Sequence, residues 1–151
     1  MANITEILLN EVGRQWSQAK QSEDQRAALS NFIVVIAVAG QGFIVDKDFP
    51  KRAMVLAVFM TLLGLFGAVA VAKYYERFRM SMTRVGRLRE QLDSLHPELK
   101  LDEIEQRADA RHSSRFPRLS HLRLHLLWRF LMLGIALMGA FDICMIMNFG
   151  H

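Results

Sequence analysis

Apolar residues are gathered into three uninterrupted blocks, and charged residues lie almost entirely between them. The first block, AALSNFIVVIAVAGQGFIV over 27–45, has 19 residues and no charge. The second, AMVLAVFMTLLGLFGAVAVA over 53–72, has 20 residues and no charge. The third, FLMLGIALMGAFDICMIMNF over 130–149, has 20 residues and one charge, Asp142. A helix needs about 20 apolar residues to cross the ~30 Å hydrocarbon core of a bilayer. The pattern therefore predicts an all-α membrane protein with three transmembrane helices. Ser30, Asn31 and Gln41 make the first span the most polar of the three. A cleaved signal peptide is the rival reading of that block, with Ala37-Val38-Ala39 as its cleavage site. The acids Glu6, Glu11, Glu23 and Asp24 ahead of it, and an apolar run of about six residues, argue against that.

Between the blocks the periodicity is helical. Ile4, Leu8, Val12 and Trp16 recur every four residues, with Ile7 beside them, which predicts an amphipathic helix over 3–20. Asn3 and Glu6 have the spacing of a capping box. Ser22-Glu23-Asp24-Gln25 is a second helix-start signal, with acids where a helix dipole favours them. The N-terminal helix has two readings, lying on the membrane surface or packing on neighbouring helices, and its polar face lacks the Lys/Arg richness of a surface helix. After the second block, Tyr75, Phe78, Met82, Val85 and Leu92 follow heptad spacing, broken by Arg89, so that helix is expected to continue to about Leu95 and end at Pro97. An oligomeric stalk and an antiparallel packing on 98–112 or 3–20 of the same chain fit the spacing equally. Residues 98–112 read as a short polar helix using Leu101, Ile104 and Ala108. Ser113 to Pro117 break the chain, and a new helix should start near Pro117 to Ser120. Pro50 suits a tight turn between the first two spans.

Charge adds a topology. The chain of 151 residues has a formal net charge of +4. Residues 73–129 carry thirteen Lys/Arg against eight acids, while the segment before the first span and the 46–52 hairpin carry three Lys/Arg each. The positive-inside rule puts 73–129 in the cytoplasm, the N-terminus inside and the C-terminus outside. In a bacterium this is a multi-pass protein of the inner (plasma) membrane. Basic character next to spans points to a lipid bilayer as partner, and nucleic acid is disfavoured.

Candidate chemistry is sparse. Asp142 stands thirteen residues into the third span, where an ionised Asp costs about 2.5–3.5 kcal/mol to insert. It is expected to face a helix interface or a water-filled path, unless the span shifts to carry it to the outer interface. Met132, Ile135 and Gly139 share its face. Gln41, between Gly40 and Gly42, is placed for a hydrogen bond across a close helix approach, and Asn31 is a third intramembrane polar group. Ala57, Thr61, Gly64, Ala68 and Ala72 form a small-residue packing stripe, within one chain or between copies. Arg111, Arg115, Arg118, Arg123 and Arg129 form a basic run that reads as an anionic-lipid site. A phosphate ligand, a nucleotide signal or RNA, is the rival, without a glycine-rich loop to hold it. His112, His121 and His125 cluster here, and His121 and His125, four apart, could share a helix face as a metal pair, but no HExxH or carboxylate-completed motif accompanies them. Cys144 has no partner for an internal disulfide. No GxSxG, P-loop, GxGxxG or HExxH pattern occurs, so the chain reads as neither an enzyme nor a cofactor protein.

The N-terminal helix, the junction QSEDQRAALSNFIVVIA, the short hairpin and the second span running into AKYYERFRMSMTRVGRLREQL together resemble SLATT-type membrane effectors. The likeness covers residues 3–95 and is architectural; the third span departs from it. The resemblance implies an oligomeric bacterial membrane effector that permeabilises the bilayer in antiviral or nucleotide-signalled defence. The alternative is a non-conducting anchor that recruits a cytosolic protein partner.

Overall fold

The computed structural model describes residues 3–46, 49–117 and 123–149. Among them the chain is all helix: α1 (Ile4–Asp46), α2 (Met54–Leu95), α3 (Leu101–Arg115) and α4 (Leu124–Phe149), with 3₁₀ turns at Lys51–Ala53 and Pro97–Leu99. Prolines 50, 97 and 117 all fall between helices, where a missing N–H and a fixed φ do no harm. No proline interrupts α1 or α2, which explains why each runs beyond 40 residues. Three helices are long and apolar enough to cross a membrane: α1, α2 with the turn before it, and α4. The protein is an all-α, multi-pass membrane protein.

The expected junction between an N-terminal helix and the first span is absent. α1 passes through Ser22-Glu23-Asp24-Gln25 without a break. Ser22 is buried and its Oγ donates to the Gln18 carbonyl at 3.0 Å, a bond made within a continuing helix. A capping residue terminates a helix only where the backbone also turns, and nothing here turns it. The cap at the start is used: Asn3 Oδ1 accepts from the Thr5 N–H at 3.3 Å.

The chain forms two compact units, and α1 and α2 each contribute to both. The first comprises Met1–Glu23 and Tyr75–Arg123. Here the start of α1 lies antiparallel to the end of α2. Thr5 Oγ1 and His96 Nε2 are 3.0 Å apart, and Glu11 and Gln15 lie across from Thr83 to Leu88. The heptad-spaced face of α2 is consumed in this packing, with Val85 and Leu92 buried and Tyr75, Phe78 and Met82 half-buried. Of the two readings left open by the spacing, packing against 3–20 of the same chain is the one seen. The inward side of α1 is rotated from the expected apolar face. Gln15 and Ala19 are buried, while Ile4, Ile7 and Trp16 are more than half exposed. Asp93 Oδ1 accepts the Leu101 N–H at 2.9 Å, which anchors the start of α3, and Arg89 meets Glu105 at 3.5 Å. Beyond Leu101, every residue of α3 is exposed.

The second unit, Asp24–Tyr74 and Leu124–His151, is a three-helix bundle. α2 runs antiparallel to both α1 and α4, so α1 and α4 are parallel. Its core is Ile33, Ala37, Ile44, Ala57, Met60, Val71, Met132, Ile135 and Ile146, with Leu29, Trp128 and Ile143 packed against it. Phe49, at a left-handed φ of 54°, closes the turn before α2 and donates its N–H to Ile44 O at 3.1 Å. The outward faces are apolar: Phe32, Val35, Val55, Val69, Leu137 and Phe141 are all more than half exposed. Large apolar side chains outside and polar groups inside is the arrangement a bilayer selects, since only buried polar groups can find partners there.

Candidate functional site

The small-residue stripe is the seam between α2 and α4. Ala57 and Ala68 are buried, and Thr61 Oγ1 donates back to Ala57 O at 3.0 Å. A Cβ placed on Gly139 would stand 2.7 Å from Thr61 N and 2.9 Å from Ala57 O. A Cβ on Gly64 would run into the Ala136 backbone nitrogen and the Met132 carbonyl. The two backbones touch here because neither glycine has a side chain to hold them apart, as in small-xxx-small contacts generally. The stripe that the sequence left open between one chain and two is used within one chain.

One residue beyond Gly40 on α1, and three beyond Gly139 on α4, the same close packing brings two polar side chains together. Gln41 Nε2 donates to Asp142 Oδ1 at 3.1 Å. Asp142 is fully buried. Gly40 contributes the approach on the α1 side, where a Cβ would lie 2.8 Å from the Met60 sulfur, whereas Gly42 faces open space. Two acceptors in the pair, Gln41 Oε1 and Asp142 Oδ2, are buried with no hydrogen-bond partner. A buried acceptor left without a donor costs about 1–3 kcal/mol. The pair is therefore half-satisfied: one hydrogen bond made, two oxygens waiting for a donor.

Gln41 lies five residues before the end of α1 and Asp142 seven before the end of α4. At 1.5 Å per residue these are roughly 7.5 and 10 Å of helix rise. The pair belongs to the end of the bundle that carries the 46–53 turn, rather than to its middle. α4 begins at Leu124, ahead of the apolar block, and its register is set by the glycine seam. Asp142 points into the bundle of its own chain.

Asn31 is not part of this site. It is exposed on the outer side of α1, and the inward position is taken by its neighbour Ser30, which is fully buried with its Oγ unpaired. Arg26 is also buried. Neither Arg26 nor Ser30 stood out as a site residue in the sequence. The signal that could have found them is spacing: Arg26, Ser30, Ile33, Ala37, Gly40 and Ile44 follow one another at three or four residues and form the inward face of α1.

The basic run is divided between the two units. Arg111 and Arg115 are exposed on α3, with the Arg115 guanidinium 5.7 Å from the centre of the Phe116 ring. Arg123 belongs to the first unit and Arg129 to the second, both exposed, and Arg118 lies outside the described residues. His121 also lies outside them, and among the described residues no group of three or more metal-ligating side chains occurs. Cys144 is exposed. In the first unit, hydrogen bonds from Arg14 and then Gln15 hold the Glu11 carboxyl below its ordinary range. Glu98 is likewise held low, by its own backbone N–H and by His96.

No protein-family model matches this chain, and neither a curated protein nor a solved structure matches it.

Proposed function

We propose that the protein is a non-catalytic membrane anchor that holds a cytosolic protein partner at the inner membrane through its first unit. The observation that carries this reading is the inward closure of the spanning bundle. Asp142 and Gln41 meet inside one chain, and the large exposed side chains around them are apolar. A conducting assembly needs polar groups on the faces that line its path, and this bundle turns Ser30, Gln41 and Asp142 inward, although Asn31 faces out. The first unit has the opposite character. Ile4, Ile7, Trp16, Leu99 and Ile104 are half or more exposed beside many charged residues, a mixture typical of docking surfaces. The positive-inside rule assigns that unit to the cytoplasm and both the 46–53 turn and the C-terminus to the opposite side.

The permeabilising oligomer implied by the SLATT-type resemblance is the second reading. The two unpaired oxygens of the Gln41–Asp142 pair favour it, because an opening that admitted water or ions would satisfy both. Induced expression with a membrane-potential dye separates the two. An anchor leaves the potential unchanged, and a cysteine placed at Ile104 crosslinks to a cytosolic protein. Prompt depolarisation with growth arrest, abolished by Asp142→Asn, would overturn the anchor in favour of the effector. The topology has its own test. A C-terminal reporter active only in the cytoplasm should be silent, and full activity would refute the three-span arrangement.

A further inference from the structure

Three polar side chains stand in the apolar block 27–45, and two of them turn into the bundle. Ser30 is buried and Gln41 bonds Asp142, while Asn31 is exposed on the outer side of α1. The Asn31 amide makes no hydrogen bond among the described residues. Asn31 is the fifth residue of the block. Four residues of helix rise carry it about 6 Å past the start of the apolar run. The medium on that side is hydrocarbon rather than water, so a carboxamide there is costly to leave without a partner.

Asn31 stands in a longer pattern. Ala28, Asn31, Val35, Val38, Gly42 and Val45 follow one another at alternating steps of three and four residues, which places them along one side of α1. All six are exposed. Val35 and Val38 are each 67% exposed, and a Cβ on Gly42 would meet nothing within 4 Å. The rest of the bundle is met through the inward line of Ile33, Ala37, Gly40 and Ile44 instead. Alternating three- and four-residue steps make the seam of a left-handed helix pair, in which small and β-branched residues pack closely and a single Asn fixes the register. Symmetry decides what covers this seam. Copies inserted under the same charge rule share one orientation in the membrane. Two α1 helices therefore meet in parallel, with each Asn31 at the depth of the other. A carboxamide is self-complementary, since its oxygen accepts from the other amide while its NH2 donates in return. An unrelated helix would need a hydrogen-bonding group at that depth, whereas a second copy brings one of necessity. We propose that this face of α1 is the interface of a parallel homodimer, closed across a two-fold axis by a reciprocal hydrogen-bonded pair between Asn31 and the partner's Asn31. The seam is otherwise apolar, so the pairing lines no conducting path, and it does not depend on what the first unit binds.

The test uses the full chain in liposomes of phosphatidylcholine and phosphatidylglycerol. For crosslinking, the exposed Cys144 is first replaced by serine. Oxidation of Val35→Cys or Val38→Cys should then give disulfide-linked dimers. Leu137→Cys, 71% exposed on α4, should give none. Association is measured by energy transfer between copies labelled at the N-terminus with donor or acceptor, over a range of protein-to-lipid ratios. Asn31→Leu should weaken it about 10- to 100-fold, as for two lost interhelical hydrogen bonds. Asn31→Gln retains the amide and should keep most of the association. Leucine suits a lipid-facing position, so helix content by circular dichroism should not change. Equal association of wild type and Asn31→Leu would overturn the proposal. So would wild-type transfer no greater than random crowding gives, or crosslinking at Leu137→Cys as efficient as at Val35→Cys. A Val35→Cys crosslink formed in cell membranes to a different protein, in place of a second copy, would overturn it too. The anchor reading is judged separately, by the membrane potential and the Ile104 crosslink, neither of which requires Asn31.

Discussion

Replacing Asp142 by asparagine should stabilise the spanning bundle. A carboxylate is acceptor-only, so it can take the Gln41 Nε2 hydrogen but has nothing to offer Gln41 Oε1. Asparagine keeps the shape, retains an acceptor for Nε2 and supplies an Nδ2 donor. The two amides can then form a reciprocal pair with one interhelical hydrogen bond more than before. Such bonds contribute about 0.6 kcal/mol in membranes and at most ~1.7. Removing the charge adds a further gain, bounded by the ~2.5–3.5 kcal/mol insertion cost of an Asp at mid-span and reduced by the position of the pair near the end of the bundle. A net stabilisation of roughly 1–2 kcal/mol is expected. Asp142→Leu is the informative companion. It also removes the charge, but leaves both ends of the Gln41 amide without a partner, at a cost of about 1–3 kcal/mol relative to asparagine. The order should be Asn most stable, with Leu clearly below it. Equilibrium unfolding in mixed micelles with increasing dodecyl sulfate, followed by circular dichroism, measures this. The reasoning fails if Asn is less stable than the parent, or if Leu equals or exceeds Asn. In a Gln41→Leu background, Asp142→Asn should lose the hydrogen-bond part of the gain, about 0.6–1.7 kcal/mol, and keep only the part due to removing the charge.

The glycine seam predicts a contrast between two conservative changes. Gly139→Ala forces a Cβ to within 2.7 Å of the α2 backbone and should cost about 1–3 kcal/mol, read as a lowered melting temperature in detergent. Gly42→Ala meets open space and should be neutral or stabilising by up to about 1 kcal/mol, the usual helix-propensity gain. Acid should expose the Glu11 contacts. Its carboxyl is held below the ordinary value of 4.5, so what it contributes is present above that value and lost as pH falls through the depressed one. The stability difference between wild type and Glu11→Gln, measured by denaturation, should therefore shrink below about pH 4.5 and be flat from there to neutral. Because Glu11 is only partly buried, the Arg14 charge's share of the effect should also weaken in high salt.

Much of the architecture follows from local chemistry that any reader of the chain can see. Nineteen- and twenty-residue apolar runs match the thickness of a bilayer, and a continuous run that long satisfies its own backbone there as a helix. Pro50, Pro97 and Pro117 mark the breaks, and the structure honours each one. The continuation of the second span to Leu95 was legible too, since its apolar period does not change where the charges begin. Three things were not legible. The first is the unbroken α1. A cap signal such as Ser22-Glu23 states a local preference of about a kilocalorie, and a long helix packed along one side overrides it. The second is the rotation of α1, whose buried line runs through Gln15, Ser22, Arg26 and Ser30 while Ile4, Ile7 and Trp16 face outward. Hydrophobicity shows which residues prefer burial, but close antiparallel packing is decided by which residues are small or can be satisfied. The third is the partner of Asp142. Residues 41 and 142 are 101 apart in the chain, and their meeting depends on a register set by Gly40, Gly64 and Gly139. A buried charge in a span announces from sequence that some partner is needed. Which side chain answers it is decided only when Gly64 and Gly139 fix the register of α4 on α2, and Gly40 lets α1 close on the Met60 side chain.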